Sequence, residues 1–160
     1  VCAGLSDFSG ISRRMEYIGE ANGTPVYYDY AHHPTEIAAA IDGLREACGL
    51  SVTVIFRPHT FSRTRAFLSE LANALSRADN IILLDVDPVR ESFEAGVSSA
   101  VLAKRIGKGA CVAEESAAAA LSLSRGNSAV VLMGAGEVDK VLSDLRDATR
   151  ATKNTGNIGE

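Results

Sequence analysis

An α/β fold, with a mostly parallel sheet covered by helices on both faces, is what this sequence predicts, and three observations carry the prediction. From residue 24 onward, stretches of strand-like and helix-like periodicity alternate to near the end of the chain. The strand-like stretches are plain runs of Val, Ile and Leu rather than in-out alternations, as expected of strands buried on both faces. Clusters of polar, chemistry-bearing residues follow directly after such runs, where open α/β sheets bind ligands.

Taken in order, residues 15–24 read as an edge strand ending in the turn Asn22-Gly23. Val26–Tyr30 is a strand, and Thr35–Cys48 a helix, opened by Pro34, whose apolar positions Ile37, Ala40, Ile41 and Leu44 recur at helical spacing. Val52–Phe56 is an apolar strand. Ser62–Arg77 is helical, with Phe67, Leu68, Leu71 and Leu75 on one side. Ile81–Leu84 is a strand, Val97–Ile106 a helix, Ala110–Ala113 a short strand, Ser116–Ser124 a helix, Ala129–Met133 a strand and Glu137–Thr149 a last helix. Residues 1–150 make one domain, and the polar, Gly-containing tail 151–160 is expected to be disordered.

Charge and composition exclude several classes. Sixteen Lys plus Arg against twenty Asp plus Glu give a net charge of −4 with no long basic run, which disfavours general nucleic-acid binding. No apolar run approaches the ~18 residues of a membrane span. Cys2, Cys48 and Cys111 are odd in number and widely spaced, so they read as small hydrophobes in a reducing cytoplasm rather than as a disulfide or zinc framework. Val1–Leu5 lacks the charged segment and apolar run of a signal peptide, and the chain reads as an excised or processed piece.

Three polar clusters carry candidate chemistry. The first is Arg13-Arg14 beside Gly10; the second is Asp29-Tyr30-Ala31-His32-His33-Pro34-Thr35; the third runs from Arg57 to Arg65 and holds Arg57, His59, Arg63 and Arg65 at a helix entrance. Cationic side chains at a helix N-terminus suit a carboxylate or phosphate, although Arg63 and Arg65 as solvated helix residues and His59 as a satisfied loop histidine fit the same spacing. Adjacent histidines point different ways on an extended backbone, so His32-His33 is read as hydrogen-bonding rather than metal-binding, and no metal site is assigned. Asp29 suits orienting a histidine, accepting from a sugar hydroxyl, sitting near Mg²⁺ or capping the following turn. Gly134-Ala135-Gly136-Glu137 follows a strand, but Asp139 stands where a dinucleotide fingerprint needs its third glycine, so a tight turn is the better reading; a phosphate loop of the Gly-x-x-x-x-Gly-Lys-Ser/Thr type is absent.

Taken together, Phe8-x-Gly10-x-x-Arg13-Arg14, Asp29-Tyr30-Ala31-His32-His33-Pro34-Thr35-Glu36, Pro58-His59-Thr60-Phe61-Ser62-Arg63-Thr64, Gly96-Val97-Ser98-Ser99 and Gly134-Ala135-Gly136 resemble the C-terminal domain of the Mur ligases over roughly residues 5 to 145. The resemblance implies a three-layer, Rossmann-like, mostly parallel sheet with an antiparallel edge strand. It also implies a cytoplasmic, ATP-dependent amide-forming ligase of peptidoglycan precursor synthesis that works through an acyl phosphate. The member nearest these motifs joins L-alanine to UDP-N-acetylmuramate. A recycling ligase that attaches murein tripeptide to the same sugar is a second expectation, and a non-catalytic nucleotide- or anion-binding module a third. Partner N-terminal and central domains would hold the UDP-sugar, the phosphate loop and most Mg²⁺ ligands, so this piece alone is expected to be inactive.

Carried over motif by motif, the resemblance implies catalytic roles for Arg14, Asp29 and Arg63. Arg14, Asp29 and His32 would hold ATP, and Tyr30, His59 and Arg63 would face the amino-acid substrate. Four positions depart from the family pattern: Tyr28 for a second aspartate, Arg57 for glutamine, Asp87 for tyrosine before Pro88, and Glu137 for aspartate.

Overall fold

The computed structural model describes residues 12–107 and 109–155, so Phe8 and Gly10 of the first motif lie outside the described residues. Within them the chain runs β1 (Glu16–Ala21), β2 (Thr24–Asp29), α1 (Pro34–Cys48), β3 (Ser51–Phe56), α2 (Phe61–Ala66), α3 (Leu68–Leu75), β4 (Asn80–Leu83), α4 (Ser99–Ile106), β5 (Ala110–Val112), α5 (Glu115–Leu123), β6 (Ser128–Met133) and α6 (Asp139–Thr155). The strands form one sheet in the order β1-β2-β6-β3-β4-β5. Only β1 is antiparallel, paired with β2 through the Asn22-Gly23 turn, whose residues take φ of 52° and 79° as a two-residue hairpin requires.

β3 shows why an unbroken apolar run becomes a central strand. Val52, Val54 and Phe56 point to one face, into a core shared with Ile37, Ile41 and Leu44 of α1, Leu71 and Leu75 of α3 and Leu102 of α4. Ile55 points to the other, with Tyr28, Val130, Leu132 and the α5 and α6 residues Ala118, Val141 and Leu145. Burying both faces is the source of the three layers. Thr53, fully buried, satisfies its hydroxyl sideways, donating to Ser128 Oγ at 3.1 Å and accepting from Asn80 Nδ2 at 3.3 Å.

Several element boundaries differ from the sequence reading, four of them with a clear cause. β2 ends at Asp29 because the Tyr30 amide leaves the sheet to donate to Arg13 O at 2.8 Å. The helix expected over Ser62–Arg77 is two helices, broken at Phe67, whose backbone opens to φ −112° and ψ 20° while its ring lies edge-on to His33 at 5.1 Å. The last helix begins at Asp139 rather than Glu137, since the Glu137 amide donates to Asp87 Oδ2 at 3.0 Å instead of entering a helical turn. It also continues to Thr155, past the expected domain end at 150, where Thr152 accepts from the Asn22 amide at 3.1 Å and ties the helix to the hairpin turn. No helix among the described residues is long and apolar enough to cross a membrane.

β6 enters the sheet last, between β2 and β3. The chain leaves β2 and β3 toward one face and β6 toward the other, so the loops at their carboxyl ends diverge and leave a crevice.

Two glycines test this packing with opposite signs. At Gly19, in the bulge of β1 with φ 145°, an added Cβ would meet the Thr149 side chain at 3.0 to 3.3 Å, so Gly19→Ala is expected to cost about 1–3 kcal/mol by crowding α6. At Gly43, exposed in the middle of α1, a Cβ meets nothing within 4 Å, so Gly43→Ala should gain about 0.5–1 kcal/mol. Urea denaturation of both variants measures the pair, and equal signs would contradict the packing described.

Candidate functional site

The carboxyl edge is organised around Asp29. This residue is only 6% exposed, and its carboxylate is taken up by two backbone amides, Met15 N–H to Oδ2 and Ala31 N–H to Oδ1, both at 2.7 Å. With the Tyr30 amide bound to Arg13 O, the segment 12–15 is thereby fastened to the end of β2, and Arg13 is set in a left-handed conformation at φ 65°. Asp29 therefore fills the turn-capping role, with each of its oxygens accepting one backbone amide. Arg14 stands exposed at the rim, beside a hollow of about 260 Å³ lined by Ser12, Arg13, Arg14 and Tyr30.

The two histidines of the corner part company. His33 caps α1: its Nδ1 accepts a long bond from Thr35 N at 3.4 Å, while the Glu36 carboxylate accepts from the amides of His32 at 3.1 Å and His33 at 3.2 Å. Those two amides draw the Glu36 carboxyl below its ordinary range against the opposing effect of burial, the largest contribution. His32 turns toward the crevice, between the Tyr30 ring at 5.5 Å and the His59 ring at 6.3 Å. Its Nδ1 lies 3.0 Å from Tyr30 O, and since a carbonyl only accepts, Nδ1 is the donor of that bond.

A cavity of about 680 Å³ lies along the edge, with Arg13, Tyr28, Arg57, His59, Asp87 and Glu115 among its walls. His59 Nδ1 is buried without a hydrogen-bond partner among the described residues. Burial pushes the His59 pKa down, and the Arg63 guanidinium pushes it further, so the ring is neutral near pH 7. Burial likewise raises the Tyr28 phenol, with Arg13 opposing.

The four positive groups of the third cluster have unequal fates. Arg57 is consumed internally: Nη2 pairs with Glu115 at 2.5 Å, Nε donates to Asp85 O at 3.2 Å and Nη1 donates to Glu137 O. Arg65 pairs with Glu94 at 2.5 Å. His59 is neutral, which leaves Arg63. Among the described residues no carboxylate lies within ion-pair distance of Arg63, Arg13 or Arg14. With Arg90 of the loop after β4, which is exposed and also has no carboxylate partner among the described residues, these guanidiniums are the edge's available positive charge.

Tyr30, His32, His59 and Arg63 therefore come together, Arg14 stands at the adjoining rim, and Asp29 lies beneath as their brace. The site also includes residues to which no role was assigned. Arg13 had only its neighbour Arg14 to recommend it, and Glu115 carried no spacing signal. Asp87, met in the sequence only as a departure from pattern, accepts from Val89 N at 2.9 Å and Glu137 N at 3.0 Å; a Cβ on Gly136 would come within 2.2 Å of its Oδ2. This close approach of Asp87 accounts for the glycine at 136. No three His, Cys, Asp or Glu side chains among the described residues are grouped to hold a metal ion.

Comparisons with known proteins bear on the family. The family model described as "Mur ligase, glutamate ligase domain" matches residues 13–136. A UDP-N-acetylmuramate--L-alanine ligase from Thermobifida fusca is 40% identical over 151 residues, covering 86% of this chain and 32% of the relative. The chain thus spans about a third of the length of the curated relatives it matches. The crystal structure of the UDP-N-acetylmuramate-alanine ligase of Thermotoga maritima superposes with a TM-score of 0.71 at 22% identity, over 94% of this chain and 33% of that one. A murein peptide ligase from Psychrobacter arcticus gives 0.69 at 25% identity, over 99% and 33%.

Two expectations follow from the geometry. Asp29→Asn replaces one acceptor oxygen with an NH₂ facing a backbone N–H, and should lower stability by about 1–3 kcal/mol in denaturant titration; a neutral result would show that the two amides do not depend on the carboxylate. His59 is held neutral in the fold, so as pH falls below the ordinary value of about 6.5 the unfolded chain binds a proton that the folded chain refuses, and stability drops. His59→Gln should flatten that loss between about pH 7 and the folded pKa. Thermal midpoints measured across that range for both proteins check it, and parallel curves would count against a desolvated ring.

Proposed function

This chain belongs to the Mur ligase family, in its C-terminal glutamate ligase domain, and from that premise we propose that it serves an ATP-dependent ligase joining L-alanine to UDP-N-acetylmuramate in peptidoglycan precursor synthesis. One observation in this chain supports the reading above the rest. Three arginines without carboxylate partners, Arg13, Arg14 and Arg63, border the same carboxyl edge as a desolvated, neutral His59.

That arrangement suits the chemistry. Activation of the muramoyl carboxylate by ATP gives an acyl phosphate, and attack by an amine releases phosphate, so negative charge on phosphate oxygens must be met at both stages. Guanidinium forks meet such charge with fixed geometry. Arg13 and Arg14, fastened to β2 through Asp29, are placed to take the phosphate side. Arg63, with His59 and Tyr30, takes the amino-acid side, and His32 lies against the nucleotide. A neutral His59 offers a hydrogen bond without adding a cation that would repel an incoming ammonium. Mg²⁺ and the phosphate loop would be supplied by the rest of the ligase, which closes over this edge and excludes water from the acyl phosphate.

In the full-length protein, Arg14→Ala and Arg63→Ala should each lower turnover with ATP, UDP-N-acetylmuramate and L-alanine by on the order of 100-fold or more while leaving the fold intact. Phosphate release measured for wild type and both variants tests this; rates within a few-fold of wild type would overturn the assignment of those residues. Substituting murein tripeptide for L-alanine in the same assay separates the synthetic from the recycling activity. The 160 residues alone should show no turnover, and submicromolar ATP affinity by calorimetry would be inconsistent with a site shared with other domains.

A further inference from the structure

α2 carries Arg63, yet little in its own sequence holds it in place. At six residues it is below the length at which a helix sustains itself, and only Phe61 and Thr64 are buried. Among the described residues, its hydrogen-bond, ion-pair and ring contacts beyond residues 59–67 all run to the loop between β4 and α4. Phe61 packs with Val86 and Val97 in a small core separate from the two main ones, and Phe93 lies edge-on to it at 5.8 Å. Arg65 pairs with Glu94 at 2.5 Å. At the start of the helix, the Glu91 carboxylate accepts from the Ser62 amide at 2.8 Å and from the Ser62 hydroxyl at 2.5 Å.

The backbone entering α2 is strained. Thr60, β-branched, sits at φ 60°, a conformation such residues rarely adopt and that costs about 1–3 kcal/mol. It is held there from both sides: its amide donates to Asp87 O at 2.8 Å, and its carbonyl accepts from the Thr64 amide at 3.1 Å and the Thr64 hydroxyl at 2.7 Å. The strained corner and the clasp on Ser62 together determine where His59 and Arg63 lie relative to each other.

We propose that Glu91 is a positioning residue: by gripping the Ser62 amide and hydroxyl it holds α2 in the one orientation that keeps Arg63 beside His59 at the carboxyl edge. The inference rests on the ligase reading for its catalytic consequence but not for its structural content. Glu91 touches neither Arg63 nor the proposed ligands; it acts through the helix.

Glu91→Gln and Glu91→Ala both remove the charge, but the amide side chain of Gln still accepts from Ser62 and Ala cannot. Loss of the Glu91 charge alone lowers the His59 pKa, whereas departure of Arg63 raises it. Titration of His59 by NMR in the intact protein should therefore give a higher pKa in Glu91→Ala than in Glu91→Gln. In the full-length ligase, Glu91→Ala should lose on the order of 10–100-fold in kcat/KM for L-alanine, with Glu91→Gln restoring most of it. Should Glu91→Ala fail to fold, Ser62→Ala, which keeps the Glu91 charge and the amide bond but loses the hydroxyl half of the grip, should raise the His59 pKa above wild type by a smaller step. Equal His59 pKa values in the two Glu91 variants, or an unmoved value in Ser62→Ala, would overturn the proposal. If wild type does not turn over these substrates, the ligase reading fails and the titration still decides the role of Glu91.

Discussion

The β2 side of the carboxyl edge depends on a single buried carboxylate. Asp29 ends β2 at the crevice, and its two oxygens accept from Met15 on one side and Ala31 on the other. A carboxylate bound by two backbone amides is a strong, directional anchor that needs no cation. On the Met15 side the anchor sets the turn carrying Arg13 and Arg14. On the Ala31 side it sets the corner from which His32 turns inward and His33 caps α1. Arg13 and Arg14 are separated in sequence from His32 and His33, yet both pairs hang from one side chain.

Around that anchor the edge is organised by which charges are spent. Arg57 spends all three of its donor groups joining Glu115, Asp85 and Glu137, which draws the loops after β4 and β6 and the start of α5 onto the end of β3. Arg65 is spent on Glu94. Asp87 does for the acidic side what Arg57 does for the basic side, accepting from Val89 and Glu137 while its backbone brackets His59. With these groups occupied in bracing, the remaining arginines face outward without partners, so an anion approaching the edge meets a few oriented guanidiniums instead of a diffuse basic surface.

The sheet and both layers of helices were legible in the sequence because burial on two faces leaves an unmistakable mark on β3, β4 and β6, and because Asn22-Gly23 names its own turn. Positions of chemistry were legible too, as residues following the strands. Their pairing was not. Nothing in the run from Arg57 to Arg65 distinguishes the arginine that binds Glu115 from the one left open, because Glu115 and Glu94 arrive from other elements. Asp29 shows the same gap: its residue type suits ligand or amide alike, and one of the amides it accepts from, that of Met15, lies fourteen residues earlier. The helix running to Thr155 likewise depends on the hairpin turn at Asn22, 130 residues away.

Backbone strain is distributed by the same logic. The non-glycine residues with positive φ among the described residues divide into two sets. Asn22 and Asn127 lie at the amino-terminal edge of the parallel strands, in turns where asparagine tolerates the conformation. Arg13, Met15, Thr60 and Val89, none of them suited to it, all lie at the carboxyl edge. Three of the four are held by a bond from another part of that edge, Arg13 O by Tyr30, Met15 N by Asp29 and Thr60 N by Asp87, while Val89 N is held within its own loop by the Asp87 carboxylate two residues earlier. Strain of this kind survives only where neighbours over-determine it, and it gathers where a fixed arrangement has a use. The two aspartates, Asp29 and Asp87, supply most of that determination from opposite ends of the crevice. They hold Arg13 and Arg14 on one side and His59 and Arg63 on the other in a geometry the chain would not adopt unaided.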